Sequence, residues 1–158
     1  ATIRRQRQMC IRDRGGYRLP CIARWPGKIP AGRKSDAIFA TIDFMPTFAS
    51  LCGFKVPDDR KIDGVDQTNL LLGKSEKGRE TFYFDRAGIR KGKWKYLKAD
   101  AHFYGYARED SRPKEEELYN LEKDLEEKNN LAKKHPKILA ELRKLTESMP
   151  KDGPGGIH

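Results

Sequence analysis

Hydrophobic and polar positions in the first third of the chain predict a strand, a loop and a helix. Leu19 to Trp25 is a short, mostly apolar run followed by the turn-rich sequence PGKIPAG, which is typical of a buried strand that ends in a loop. A helix is predicted within 35–54, where Asp43 is a suitable N-cap, Pro46 lies in the first turn and Gly53 ends the helix. A strand that is apolar on both faces needs parallel neighbours and covering helices, so this segment indicates part of an α/β layer.

The second half of the chain has the pattern of a small antiparallel sheet. Residues 81–86 form an aromatic strand, and 87–91 continues that strand or pairs with it. Residues 93–98 alternate charged and apolar side chains, as a half-buried strand does, and Gly92 supplies a hairpin turn before them. A further short strand is predicted at 118–121.

A last helix is predicted to begin at Pro136 and to pack across this sheet. It has one apolar stripe, at spacings of three and four, and one charged face. The stripe consists of Ile138, Leu139, Leu142, Leu145 and Met149. Two polar connections precede the helix: 55–74, closed by one helical turn, and the variable loop 99–117.

The chain is strongly basic, with 33 lysines and arginines against 23 acidic residues and a net charge of +10. Such an excess suggests nucleic acid or another polyanion as a partner. Residues 1–14 contribute five arginines and one aspartate, which leaves 28 basic against 22 acidic residues elsewhere. That remainder is ordinary for a soluble domain, so the charge does not favour nucleic acid. No apolar run is long enough to span a bilayer.

A self-contained active site is not visible in the sequence. The histidines are scattered, the cysteines form no C-x-x-C pair, and no serine or cysteine has a recognisable base partner. Cys21 and Cys52 are predicted to be small buried hydrophobes. The aspartates between Asp58 and Asp66 lack calcium-loop spacing and are assigned to turns and caps. The charges at 115–117 and 122–128 are assigned to solvated surface.

Trp94 and Tyr96 have two interpretations. Their interleaving with lysines in KWKYLK could present aromatic rings for stacking on bases or sugars. Alternation on an antiparallel strand produces the same pattern without a ligand, and this structural interpretation is the favoured one.

Five segments together resemble one family, the sulfatases: formylglycine-dependent sulfuric ester hydrolases with an alkaline-phosphatase-like fold. The segments are GGYRLPCIARWPGKIPAG, ATIDFMPTFASLCG, IDGVDQTNLLLGK, AGIRKGKWKYL and LYNLEKDLEEKNNLAKKHP. They occur in family order and cover Gly15 to about Glu147. The resemblance is to the carboxy-terminal third of an arylsulfatase or N-sulphoglucosamine sulphohydrolase.

The resemblance implies the carboxy-terminal fragment of an alkaline-phosphatase-like α/β fold, ending in an antiparallel sheet of about four strands packed by a C-terminal helix. By this likeness, 15–74 is the last strand and helix of the large α/β domain and 75–150 is the carboxy-terminal subdomain. Residues 1–14 are expected to be a non-native or disordered arm, and 151–158 a loose tail. The resemblance also implies that this chain works together with an amino-terminal catalytic domain of the intact enzyme.

The catalytic groups of the family have no counterpart in this sequence. Family members use a divalent metal, usually calcium, and a formylglycine made from cysteine or serine in C-x-P-x-R or C-x-A-x-R. The sequence Cys21-Ile22-Ala23-Arg24 places arginine one position too early, and Cys10 also fails the motif. No catalytic residue and no metal ligand is therefore assigned here, and this chain alone is expected to be inactive.

Arg86 and His102 are the candidate substrate-binding residues. The resemblance implies that the subdomain leans over the active-site mouth of the whole enzyme, where cationic side chains would contact an anionic sulfate ester, such as a sulfated sugar. Family members work in the periplasm, in lysosomes or outside the cell, while the sequence itself gives no localisation. The alternative function is a stand-alone basic module that binds a polyanion, such as a sulfated glycan or nucleic acid.

Overall fold

The computed structural model describes residues 19–59, 62–84, 87–100 and 113–149 of the 158. The chain divides into two compact units, one formed by Cys21–Phe82 and the other by Tyr83–His158 together with Ala1–Pro20. None of the helices within the described ranges has the length and apolar character needed to cross a bilayer.

The segment from Leu19 to Trp25 has no regular secondary structure and is exposed, so the prediction of a buried strand is wrong. Ile22 is 94% exposed, and Cys21 is exposed with it, contrary to its predicted burial. A strand exists only when another strand takes up its backbone hydrogen bonds, and none of the residues that the structure describes pairs with this one. The segment therefore has the composition of a buried strand without the neighbours that would bury it.

The first unit contains the predicted helix in a shorter form. A 3-10 turn at Thr41–Asp43 leads into helix α1, Phe44–Leu51. Asp43 occupies the N-cap position and Pro46 lies in the first turn, as predicted. Gly53 adopts a φ of +75°, and its amide donates a hydrogen bond of 3.1 Å to the carbonyl of Ser50. This left-handed glycine ends the helix in the way that the sequence predicted.

The connection after helix α1 folds back along the first unit. Helix α2, Thr68–Leu71, is the predicted single helical turn. The guanidinium of Arg33 donates hydrogen bonds to the carbonyls of Leu70 and Ser75 and forms an ion pair with Glu76. One long side chain thus holds helix α2 and the residues that follow it.

Four strands form one sheet in chain order, β1-β2-β3-β4. Their bounds are Thr81–Tyr83 for β1, Gly88–Lys91 for β2, Trp94–Leu97 for β3 and Glu117–Asn120 for β4. The β2/β3 and β3/β4 pairs are antiparallel, with Ile89 opposite Tyr96 and Tyr96 opposite Leu118. Gly92, at a φ of +54°, makes the predicted hairpin turn.

Helix α3, Pro136–Glu147, begins at the predicted proline and packs on strands β2 and β3. Its Leu142 is buried in a cluster with Ile89, Tyr96 and Leu118. Ile138, Leu139 and Leu145 pack around this cluster, which confirms the predicted apolar stripe at four of its five positions. The core of the second unit thus lies between one face of the sheet and one face of a twelve-residue helix.

Replacing Gly88 with alanine tests the tight β2/β3 pairing. A Cβ at Gly88 would lie 2.1 Å from the carbonyl oxygen of Tyr96, and this oxygen belongs to the central strand and has little room to move. We expect Gly88→Ala to lower the free energy of unfolding by about 1–3 kcal/mol. Urea unfolding followed by circular dichroism measures the change.

Gly92→Asn is the matched control, since a Cβ there meets nothing within 4 Å and asparagine tolerates a positive φ. We expect it to cost about 0.5 kcal/mol or less. Equal losses for the two variants would contradict the packing argument.

Candidate functional site

Arg86 and His102, the two candidate substrate-binding residues, lie outside the residues that the structure describes. The positions on either side of 85–86 are described. The Phe84 amide donates a hydrogen bond of 2.9 Å to the Gly88 carbonyl, and the Ala87 amide donates one of 3.1 Å to the Phe84 carbonyl. Phe84 and Ala87 are both buried. Phe84 and Ala87, the described residues on either side of this gap, are therefore part of the folded body.

A buried ion pair lies close to the Phe84 ring. Lys95 Nζ is 2.7 Å from Glu127 Oε2, and the two side chains are 2% and 0% exposed. The same ammonium lies 5.1 Å from the centre of the Phe84 ring, a cation–π distance. The predictions that β3 has a charged solvent face and that 122–128 is solvated are wrong at these positions. Strand β3 is covered on both faces, since Tyr96 faces the core while Phe84 and Glu127 cover Lys95.

A second charged network joins strand β4 to helix α3. The Arg143 guanidinium pairs with both carboxylate oxygens of Glu116, with Nε 2.7 Å from Oε1. The Tyr96 hydroxyl donates a hydrogen bond of 2.6 Å to the same Oε1. The hydrogen bonds from Arg143 hold the pKa of Glu116 below its usual range, whereas burial and the neighbouring Glu116 raise the pKa of Tyr96. Glu116 therefore belongs to the structural framework, contrary to the solvated role predicted for 115–117.

A third network stabilises the start of helix α1 in the first unit. The buried carboxylate of Asp43 accepts hydrogen bonds from the amides of Ala40, at 2.9 Å, and Val65, at 2.8 Å. Arg79 forms an ion pair with it and also donates to the carbonyl of Asp63 at 2.7 Å. Burial alone would raise the pKa of Asp43, but these donors outweigh burial and lower it. The N-cap carboxylate thus joins distant segments and makes no hydrogen bond to the amides of its own helix.

The aromatic residues of β3 serve the fold, as the favoured interpretation predicted. Tyr96 is buried in the core, and Trp94 packs against that core with its ring 5.1 Å from the His135 ring. His135 occupies the N-cap position of helix α3, where its side chain makes no capping hydrogen bond. Because the Tyr96 ring is buried, it cannot stack on a base or a sugar. The alternative function as a stand-alone polyanion-binding module therefore loses its main support.

The described residues do not provide the catalytic apparatus of a sulfatase. No group of three or more histidine, cysteine, aspartate or glutamate side chains is arranged to hold a metal ion anywhere in the described ranges. The Asp66 carboxylate instead accepts the Thr68 amide at 2.8 Å, which confirms its predicted turn role. Cys21 lies in the sequence Cys-Ile-Ala-Arg-Trp, which departs from the formylglycine motif. These residues therefore do not fit the family's metal and nucleophile.

Comparison with known proteins identifies the class to which this fold belongs. Residues 11–152 match the family described as N-sulphoglucosamine sulphohydrolase, C-terminal. The chain is 37% identical over 141 residues to an N-acetylgalactosamine-6-O-sulfatase of Bacteroides thetaiotaomicron, covering 85% of this chain and 27% of that protein. It is also 47% identical over 70 residues to human steryl-sulfatase, covering 44% of this chain and 12% of that protein.

The chain is also similar to solved structures of such proteins. A protein studied for the metabolism of multiple glycosaminoglycans by Bacteroides thetaiotaomicron matches with a TM-score of 0.66 and 36% identity, over 80% of this chain and 28% of its own. Another, solved in complex with its substrate D-glucosamine-2-N,6-O-disulfate, matches with a TM-score of 0.55 and 30% identity, over 78% and 26%.

These similarities define a carboxy-terminal sulfatase domain of alkaline-phosphatase-like fold. The chain belongs to the N-sulphoglucosamine sulphohydrolase C-terminal family, as the resemblance of its five segments predicted. It spans about a quarter of the length of the N-acetylgalactosamine-6-O-sulfatase that it resembles.

The pKa of Glu116 predicts an acid-sensitive loss of stability. Because the folded-state pKa lies below its ordinary value of 4.5, the contribution of Glu116 is complete above that value and is lost as the pH falls through the folded-state pKa. We expect Glu116→Gln to lower the free energy of unfolding by about 1–2 kcal/mol at neutral pH, since hydrogen bonds to charged groups contribute about 1.5–3 kcal/mol and solvent screens this partly exposed pair. The difference from wild type should shrink on acidification. Urea unfolding across the acidic range measures it, with the exposed Glu147→Gln as control. A deficit that does not change with pH would contradict this assignment.

Removing one member of the buried ion pair leaves the other charge without compensation. We expect Lys95→Met to lower the free energy of unfolding by about 3–5 kcal/mol, and the double variant Lys95→Met/Glu127→Met to recover much of that loss. Lys93→Met is the control, since Lys93 forms an exposed pair with Glu122 at 3.6 Å that contributes about 0–1 kcal/mol. If the stability loss of the double variant equals the sum of the losses of Lys95→Met and Glu127→Met, the two charges are not coupled.

Proposed function

We propose that this chain is the carboxy-terminal part of a sulfatase that hydrolyses sulfate esters of sulfated carbohydrates. The observation that carries the proposal is the family match over 11–152 together with relatives that act on sulfated sugars. The substrate named for one solved relative is a glucosamine disulfate, and another relative is named for sulfated N-acetylgalactosamine. An anionic sugar sulfate is therefore the substrate class proposed for the whole protein.

The nucleophile and the metal of the whole protein come from a preceding catalytic portion. That portion supplies a formylglycine and a divalent metal, usually calcium, as in other sulfatases. We assign residues 15–74 to the end of the large α/β domain and 75–150 to the carboxy-terminal subdomain. In support of this division, the described strands of the sheet begin at Thr81 and its packing helix ends at Glu147.

The contribution of the subdomain is recognition of the substrate through Arg86 and His102. A guanidinium forms paired hydrogen bonds with the oxygens of a sulfate group, and an imidazole donates one hydrogen bond. Arg86 lies between Phe84 and Ala87, which are buried and joined to each other by a backbone hydrogen bond.

Kinetics of the whole enzyme test these two residues. We expect Arg86→Ala and His102→Ala each to raise KM for a sulfated sugar about 10-fold or more, since each removes one charge-assisted interaction. Lys137→Ala, an exposed basic residue of helix α3, controls for the loss of net charge. Unchanged KM values in both variants would contradict the assignment.

The isolated chain provides the matching negative measurement. We expect it to show no turnover of an aryl sulfate or a sulfated sugar, since none of its cysteines lies in a formylglycine motif and the part of the chain that the structure describes holds no cluster of metal ligands. Measurable turnover by the purified chain would contradict the division of labour proposed here.

A further inference from the structure

Strand β4 lies at one edge of the sheet in the part of the chain that the structure describes, where the strand order is β1-β2-β3-β4. Strand β3 pairs with β4 on one side. The other side of an edge strand presents amide and carbonyl groups to which a strand of another molecule can add. The groups on the outward side of β4 therefore decide whether this edge is open to association.

The side chain of Asn130 occupies the outward side of β4. Its Oδ1 accepts the Leu118 amide at 3.1 Å, and its Nδ2 donates to the Glu116 carbonyl at 3.0 Å. These are one donor and one acceptor that an added strand would otherwise bond. The Ala132 amide donates to the same Oδ1 at 2.9 Å, so only this orientation of the carboxamide satisfies all three partners.

Backbone amides close the rest of the outward side. The Leu131 amide donates to the Leu118 carbonyl at 2.8 Å. The amides of Lys123 and Asp124 donate to the Asn120 carbonyl, at 3.1 and 2.8 Å. The chain after β4 thus returns along the strand that it has just left, and Asn130 is the side chain that completes the cover.

Burial does not explain the placement of this side chain, because Asn130 is exposed. Water can replace it at the Leu118 amide and the Glu116 carbonyl, and a backbone group that bonds to water instead of protein costs the fold little. Water does not, however, exclude a further strand, whereas a side chain bonded to both groups does. The effect of Asn130 is therefore expected in association rather than in stability.

We propose that Asn130 is a plug that closes the β4 edge against strand addition, and that its removal opens this edge to β4 of a second copy. A second copy is the occupant because two antiparallel β4 strands related by a two-fold axis bring donors opposite acceptors. The proposal concerns this chain alone and does not depend on the sulfatase activity proposed above.

Hydrogen exchange of the Leu118 amide in the full chain, followed by NMR, measures whether the edge is open. At low protein concentration we expect this amide to exchange about 10-fold faster in Asn130→Ala than in wild type, since its hydrogen bond to Oδ1 is lost. As the concentration of the variant rises, exchange should slow again, because the β4 edges of two copies pair. The wild-type rate should not change with concentration. Sedimentation velocity on the same samples follows the mass of the variant.

Two further variants separate the plug from general effects of the turn. Asn129→Ala removes the neighbouring exposed asparagine, whose side chain bonds to Asp124, and should behave as wild type. Asn130→Asp keeps the oxygen that accepts the Leu118 amide and adds a charge that disfavours strand pairing. We expect it to retain slow exchange at every concentration. Fast exchange of the Leu118 amide in either variant would overturn the proposal.

The other outcomes for Asn130→Ala also bear on the proposal. Fast exchange at all concentrations would show that water alone fills the opened edge, and slow exchange at low concentration would show that other groups close it. Association without protection of the Leu118 amide would place the contact elsewhere on the molecule. Loss of the folded state, measured by urea unfolding, would assign Asn130 to stability. Each of these four results would overturn the proposal.

Discussion

The second unit depends on the burial of strand β3 from both sides. Strand β3 pairs with β2 and β4, so its backbone is fully engaged, and its side chains alternate between two covered faces. Tyr96 fills the core under helix α3, while Lys95 places a charge on the opposite side. An isolated charge in that position would cost several kcal/mol, which is why the chain after β4 must return and bring Glu127 to it. The conformation of that returning segment is therefore set by one ammonium group.

The geometry of Glu127 agrees with this dependence. It adopts a φ of +56°, in the left-handed region that costs a residue other than glycine about 1–2 kcal/mol. Such a conformation persists only where the surroundings determine it. Asp124 supports it from the same segment, since its carboxylate accepts the amides of Lys128 and Asn129. The ion pair and the turn thus stabilise each other.

Local signals in the sequence were sufficient to predict the helices and the antiparallel sheet. Pro136 fixes the start of helix α3 and Gly92 the hairpin, because each acts through its own backbone preference. The structural roles of Glu116 and Glu127 were missed, because their partners lie 27 and 32 positions away in the chain. A run of charged residues has the same composition whether it faces water or a buried cation. The local pattern alone does not distinguish the two cases. Had both faces of strand β3 been predicted to be covered, its lysine would have been a reason to look for a carboxylate partner.

The error at Leu19 to Trp25 has a different cause and bears on function. Its apolar pattern predicted a buried strand, but burial is a property of the partner as much as of the segment. Helix α1 poses the same requirement in helical form, since its Met45 and Phe48 are 50% and 52% exposed. In both cases the sequence describes an environment that the described residues do not supply. The catalytic groups of a sulfatase are missing from the same description, since no metal cluster lies among the described residues. Under the function proposed above, one element would meet both requirements, since a preceding α/β portion would cover the exposed apolar side chains and contribute the catalytic groups.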